Sequence, residues 1–432
     1  AAAEARGEEP REPSPAATTT QSPPPSNAAP AAERRAQASA GASSDGAASS
    51  SRYVLYDTRF GVSFAEQLQV FLVMVDVVIE LNKRVTGACA TGSKGESCLP
   101  WTLVLPPWCS VVKWYTEDVG EGTPWKALFD VKTIRQWIPA IEFATYARRT
   151  GQASVQLAVL PSFQPGLRGE ARLGAFGGWR PKAEACAGEG QTLPQRGGRK
   201  QSLVFSGYCP GDVLASDFRC GLLHQASPAA VVDMLSAARA GTQSVLLKHL
   251  DALGIHSPTG TSSDRFHAVL RPAHPLRDAA DAFIVKALGK NLPYLAVHLR
   301  QNDFRRHSPS TTPTAEAAAA RVNALLRERH LEQAFVATDA PQSFKDALRA
   351  RVKEPLYYFA PDDGAVVPDL QGKEDLMLLR ILARGQYFIG SVASSFTEAV
   401  RWERRMTSGD DSTEEVFCEG LSALSATKRC RA

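Results

Sequence analysis

Pro293-Tyr-Leu-Ala-Val-His-Leu-Arg-Gln-Asn-Asp-Phe304 decides the fold class of this chain. Its apolar run is bounded by turn formers and ends abruptly in His298, Arg300 and Asp303, the pattern of a buried parallel strand with polar residues at its exit. In open α/β sheets the ligand crevice lies outside the carboxyl ends of the strands. An arginine at that point is placed to meet an anion, so Arg300 is the first candidate for chemistry.

Downstream the rhythm is regular. Strands over 295–298, 334–337, 356–359 and 387–389 alternate with helices over 314–329, 341–351, 373–384 and one opening near Ser395. Strand–helix alternation of this kind predicts a parallel sheet with right-handed crossovers. Upstream, Arg52-Tyr-Val-Leu-Tyr-Asp57 predicts a strand, then a turn and a long helix carrying Leu68, Phe71, Leu72, Val75 and Ile79 on one face. Trp101-Thr-Leu-Val-Leu-Pro-Pro-Trp108 predicts a strand stopped by two prolines. Further strands are expected at 138–141 and 155–160, with a helix over 143–150. Weaker strand signals sit at 204–205 and 245–247, and a helix is expected over 227–240. Residues 161–200 are rich in Gly, Arg and Pro and read as long loops.

Bulk properties exclude several classes. Charged residues at 22% and hydrophobic residues at 44% describe a soluble globular chain, and 432 residues allow two or three domains. A net charge of +4 gives no footprint for nucleic acid. The loose basic group Arg180, Lys182, Arg196, Arg199 and Lys200 reads as a solvated loop. No apolar stretch reaches the length of a membrane span. The chain does not start with Met, so its natural N-terminus is expected to have been removed, together with any secretory signal. Residues 1–51 contain no Ile, Leu, Val, Met, Phe, Tyr, Trp or Cys, so they cannot offset their ordering entropy and are expected to form a disordered leader. The 8 cysteines lack zinc or redox spacings. Cys89 with Cys98 and Cys418 with Cys430 look like local disulfide staples of an oxidising compartment; the alternative is free thiols.

Polar residues recur at the predicted strand ends: His298 and Arg300, then Thr338 and Asp339, then Ser391, Ser394, Ser395 and Thr397. The last group opens a helix, whose free N–H groups and positive dipole end attract phosphate. Arg300 can grip a phosphate in bidentate fashion. Together they would clamp a nucleotide diphosphate, whereas the serines alone would be ordinary N-caps. His298 is otherwise a satisfied core histidine. Asp375, at a helix start, either complements the dipole or accepts N–H donors from a guanine edge. Neither GxxxxGK[ST], HExxH nor GxSxG occurs, which removes support for P-loop hydrolysis, zincin proteolysis and the usual hydrolase elbow. Asp362-Asp363 reads as a solvated loop, so metal-independent chemistry is expected.

The segments 52–57, 102–108, 138–143, 293–304, 335–340 and 387–396 resemble, in order and spacing, the type-2 protein O-fucosyltransferases, which move fucose from GDP-fucose onto Ser or Thr of folded thrombospondin type 1 repeats. The resemblance runs from about Arg52 to Cys430 and is thin through 161–290. It implies an α/β fold of the GT-B glycosyltransferase type, two Rossmann-like domains facing a cleft: an N-terminal domain over 52–275 on the acceptor side and a C-terminal donor-binding domain over 276–432. It places His298 and Arg300 on donor-holding positions, Arg300 bonding the diphosphate and the departing oxygen. Asp375 falls on the guanosine side, and Ser395 and Phe396 fall on a further donor-binding pair, flanked by Ser394 and Thr397. Gly61 and Phe64, in the first strand-to-helix turn, fall on the donor-binding side as well. Cys186 with Cys220 and Cys418 with Cys430 match family disulfides, Cys89 with Cys98 is extra, and Cys109 and Cys209 have no assigned pairing. GDP-fucose is the implied donor, with no metal or other cofactor, and folded repeat proteins in the endoplasmic reticulum lumen are the implied partners. The implied chemistry is one inverting displacement in which a base takes the acceptor proton.

The family's base lies in a Glu-Gly-Phe-Asn segment that reads Val62-Ser63-Phe64-Ala65 here. The glutamate is Val62 and the asparagine is Ala65. The nearest carboxylates are Glu66, a candidate substitute base or an ordinary helix start, and Asp57 at the strand's end. Two readings follow from different classes: an O-fucosyltransferase with an altered base, or a catalytically impaired relative that binds GDP-fucose or thrombospondin repeats as a folding factor. Arg59-Phe60-Gly61 and Ser394-Ser395-Phe396-Thr397 also resemble the type-1 enzymes, which act on epidermal-growth-factor-like repeats.

Overall fold

The computed structural model describes residues 51–58, 62–91, 98–108, 122–151, 154–163, 213–237, 242–248, 250, 270–359, 372–392, 394–408 and 411–417. Of the stretch 161–200 expected as loops, 161–163 instead continue a strand that starts at Ser154; the rest of it with its basic group, the signals at 204–205, the Asp362-Asp363 pair, Gly61, and Cys109, Cys186, Cys209, Cys418 and Cys430 lie outside these residues. So does the leader.

From Arg52 the chain builds β1 (Arg52–Tyr56), α1 (Phe64–Ala90), β2 (Trp101–Leu105), α2 (Trp125–Leu128), α3 (Val131–Trp137), β3 (Ala140–Glu142), α4 (Phe143–Thr150), β4 (Ser154–Phe163), β5 (Leu214–Leu223), α5 (Pro228–Ala237) and β6 (Ser244–Leu247). It continues with α6 (His274–Phe283), a π turn (Ile284–Leu288), β7 (Leu295–Leu299), α7 (Phe304–His307), α8 (Ala315–Glu328), β8 (Ala334–Thr338), α9 (Gln342–Arg349), β9 (Leu356–Tyr358), α10 (Lys373–Arg384), β10 (Tyr387–Ser391), α11 (Ser395–Ser408) and β11 (Glu414–Phe417). The strands form a 6-stranded sheet in the order β3-β2-β1-β6-β4-β5 and a 5-stranded sheet in the order β11-β10-β7-β8-β9. Each ladder is parallel.

Parallel sheets need cover on both faces, and the side-chain alternation supplies it. Tyr53 and Leu55 of β1 join one apolar cluster, while Val54 and Tyr56 face another. In β7, Leu295, Val297 and Leu299 pack under α8, whereas Ala296 faces the cluster shared with β1 and α1. That shared cluster runs from Val54 through Phe71 and Val75 to Leu376, Phe388 and Val400, so both sheets rest on continuous apolar packing. α1 therefore exceeds its expected single face: Val70, Val73, Met74 and Val77 are buried as well, because α5, β2 and α11 surround it. At its C-terminal end Cys89 and Cys98 form the extra disulfide.

Strands β5 and β11 and helices α6 and α7 were not expected. Helices α2 and α3 were not expected either; α3 ends at Trp137, and the strand expected at 138–141 begins only at Ala140. Near the expected boundary, Phe129 bridges Pro272 on the side of the first sheet. The next element, α6, joins α10 of the second through Arg380, whose Nε and Nη2 donate to Asp281 at 2.8 and 2.7 Å.

Candidate functional site

The site is assembled where the second sheet ends. Arg300 follows β7, Asp339 follows β8, and Ser391 is the last residue of β10. The Arg300 amide donates to Ser391 Oγ at 2.8 Å, and that hydroxyl donates to the His298 carbonyl at 3.3 Å, so the exits of neighbouring strands are tied together. The Gln301 amide donates to Asp339 Oδ1 at 2.7 Å. His298, on the β7 face that meets the shared core, is buried with its Nδ1 2.8 Å from Thr397 Oγ1 and its ring 5.1 Å from that of Phe396. Both partners sit in the first turn of α11. The close approach needs Gly390, since a Cβ there would fall 2.4 Å from Thr397 Cγ2. His298, Ser394, Phe396 and Thr397 thus gather about one strand–helix junction, with Ser394 and Thr397 buried.

Arg300 is held by two carboxylates. Nη1 lies 2.9 Å from Asp339 Oδ2 and Nη2 lies 2.9 Å from Asp303 Oδ1. The arms are unequal: the Asp339 side chain is 10% exposed and also receives the Gln301 amide, whereas Asp303 is 47% exposed. An exposed pair contributes about 0–1 kcal/mol, so a diphosphate can take the Asp303 arm while Asp339 keeps the guanidinium aimed.

The first sheet contributes its own carboxyl end. Asp57 follows β1 and is buried, with Lys248, just past β6, 3.9 Å away. Burial pulls the Lys248 ammonium below the usual lysine range, and Asp57 opposes that shift. A cavity of about 10 Å³ lined by Asp57, Thr58, Gln67 and Trp108 is of water size, too small for a sugar. Val62 is buried, its carbonyl accepting from Gln67 Nε2 at 3.1 Å. Phe64 is buried against Trp108, ring centroids 5.1 Å apart. Ser63 caps α1: its Oγ accepts the Glu66 amide at 3.3 Å, and Glu66 Oε2 accepts the Ser63 amide at 3.0 Å. Ser63 Oγ also lies 3.2 Å from Ser395 Oγ, which joins the first turn of one sheet to the last helix of the other.

Asp375 stands in the first turn of α10, beyond a left-handed Gly372. A larger cavity of about 590 Å³ opens beside Gln301, lined by Arg305, Thr312, Thr314 and Phe344. Among the described residues no three His, Cys, Asp or Glu side chains converge as a metal site, and no helix is long and apolar enough to cross a membrane. Sequence reasoning missed Lys248, for which no local signal exists, and the capping of Ser63. For the latter, Ser-x-x-Glu before an apolar run was signal enough.

Residues 53–407 match the model of the GDP-fucose protein O-fucosyltransferase family. The chain belongs to that family. GDP-fucose protein O-fucosyltransferase 2 of Homo sapiens is 25% identical over 396 residues, spanning 85% of this chain and 86% of the human one. The protein of the same name from Drosophila melanogaster is 26% identical over 413 residues, with coverage of 85% and 80%. The type-2 resemblance is thereby borne out. The crystal structure of POFUT1 in complex with GDP-fucose superposes with a TM-score of 0.52 at 15% identity, covering 87% of this chain and 99% of the other. The fold is the expected GT-B glycosyltransferase architecture, parallel sheets in two domains.

Proposed function

We propose that this chain transfers fucose from GDP-fucose to Ser or Thr of folded thrombospondin type 1 repeats in a single inverting displacement. The observation that carries the reading is Arg300, aimed by Asp339 at the exit of β7 beside the first turn of α11. The relatives' names support the donor and the protein acceptor. In this reading the guanidinium and the free N–H groups of α11 receive the diphosphate. As the glycosidic bond breaks, Arg300 stabilises the charge on the leaving oxygen. His298, Ser394, Ser395, Phe396 and Thr397 shape the donor side, Asp375 meets the guanosine, and Gly61 and Phe64 of the first strand-to-helix turn complete the donor-binding set. The charge is supplied by protein groups, so the reaction needs no metal. The Cys89–Cys98 disulfide supports residence in the endoplasmic reticulum lumen.

The buried Val62 favours a second reading, a binder without turnover. The test is fucose transfer to a folded, disulfide-bonded thrombospondin repeat, read by intact mass, with Arg300→Ala and an epidermal-growth-factor-like repeat alongside. Transfer to the thrombospondin repeat that Arg300→Ala abolishes is expected. Transfer only to the other repeat would change the acceptor, and GDP binding without transfer to either would leave the binder.

A further inference from the structure

The capping box at the start of α1 contains one bond more than capping requires. A cap needs Ser63 Oγ to accept the Glu66 amide and Glu66 to accept the Ser63 amide. Beyond these, Ser63 Oγ donates its proton to Glu66 Oε2 at 2.8 Å, the shortest contact of the group. That donation fixes the direction of the neighbouring contact: the proton between the two serines, 3.2 Å apart, belongs to Ser395. The hydroxyls therefore form an ordered chain from Ser395 through Ser63 to Glu66. One end is a half-exposed carboxylate, and the other lies on the opening residue of α11, beside the donor-side cluster.

We propose that this chain is the proton path of the transfer reaction, with Glu66 as its terminal base. The inference rests on the fucosyl-transfer reading. The acceptor hydroxyl bonds to Ser395 Oγ. As its oxygen forms the bond to the anomeric carbon, the carbon–oxygen bond to the diphosphate breaks and its electron pair leaves with GDP. The acceptor proton passes to Ser395 Oγ, the Ser395 proton to Ser63 Oγ, and the Ser63 proton to Glu66 Oε2. Glu66, half-exposed, then returns the proton to water. Ser395, on the donor side, also touches the acceptor where the two substrates meet, and Ser63 and Glu66 act through it.

Capping and proton transfer separate cleanly by substitution. Glu66→Gln keeps a capping-box side chain but cannot take a proton, and Ser63→Asn keeps a good N-cap but interrupts the hydroxyl chain. Each should lower kcat by about 100-fold or more, the scale of a lost general base, with GDP affinity unchanged by calorimetry. The acid limb of the kcat profile should vanish in Glu66→Gln, and Ser63→Thr should restore turnover. Transfer by Ser63→Asn or Glu66→Gln at the parent rate, with parent pH profile, would overturn the path while leaving the transferase reading intact. A parent that binds GDP but transfers to no repeat would overturn both.

Discussion

The two sheets present their carboxyl ends in different ways. At the second sheet, Arg300, Asp339, Ser391, His298 and Thr397 are cross-bonded over four elements, β7, β8, β10 and α11, and each strand exit is fixed by its neighbour. At the first sheet, the entry to α1 is apolar at Val62 and Ala65, and its polar groups belong to the cap. In the function proposed above, the dense cluster serves the diphosphate, which needs fixed charge. Taking a proton needs a single basic group with a path to the acceptor, and such a group can migrate along the turn without disturbing the donor side.

The sharpest way to break this contrast is Arg300→Ala. If the donor side carries the charge stabilisation, kcat falls by about 10²–10³ or more, as for loss of one oxyanion donor, and GDP binding weakens. Equal GDP affinity in both proteins by calorimetry would remove Arg300 from the donor site. A smaller effect comes from the scaffold beneath. Arg404 is 3% exposed and its guanidinium donates to the carbonyls of Ala383, Gly385, Gln386 and Thr413. Lysine cannot reproduce that fork, so Arg404→Lys should cost about 2 kcal/mol in urea unfolding. Asp339→Asn comes next: with the buried arm weakened, kcat/KM should drop about tenfold and GDP affinity should fall with it, by the worth of one charged hydrogen bond.

The mildest effect is a titration on α11. Burial pushes the Glu403 carboxyl up to about 7, against the opposing pull of Arg380 and Arg384. A carboxyl raised on folding binds its proton more tightly in the native state, so its contribution is fully present below the ordinary carboxylate range. That contribution is lost as pH rises through about 7. Glu403→Gln should abolish this dependence and gain on the order of 1 kcal/mol over the parent at pH 8, measured by denaturant titration. A parent flat between pH 4 and 8 would show that Glu403 is solvated.

Most of the second sheet was legible because its central strands β7, β8 and β10 are buried on both faces and its helices are regular; β7 and β10 lie within two residues of their expected ends. β5 escaped because Asp217, Arg219 and Gly221 interrupt its apolar pattern, as an edge strand paired only to β4 permits. β11 escaped because it opens with Glu414 and Glu415, charged residues whose partners, Arg401 and Arg321, are brought there only by the fold. Arg300 was visible from its place at a strand exit, yet its carboxylate partner Asp339 is a neighbour only through the pairing of β7 with β8. The serine pair joins residues 332 positions apart, beyond the reach of any local pattern.

The apolar cluster shared by β1, α1, α10 and α11 bears on how the chain can be divided. Val54, Phe71, Val75, Leu376 and Val400 belong to one packed body, so a cut between the sheets would leave each piece with a wet hydrophobic flank. Made separately, they should seek one another or aggregate, and the intact protein should melt as a single cooperative unit despite having two sheets.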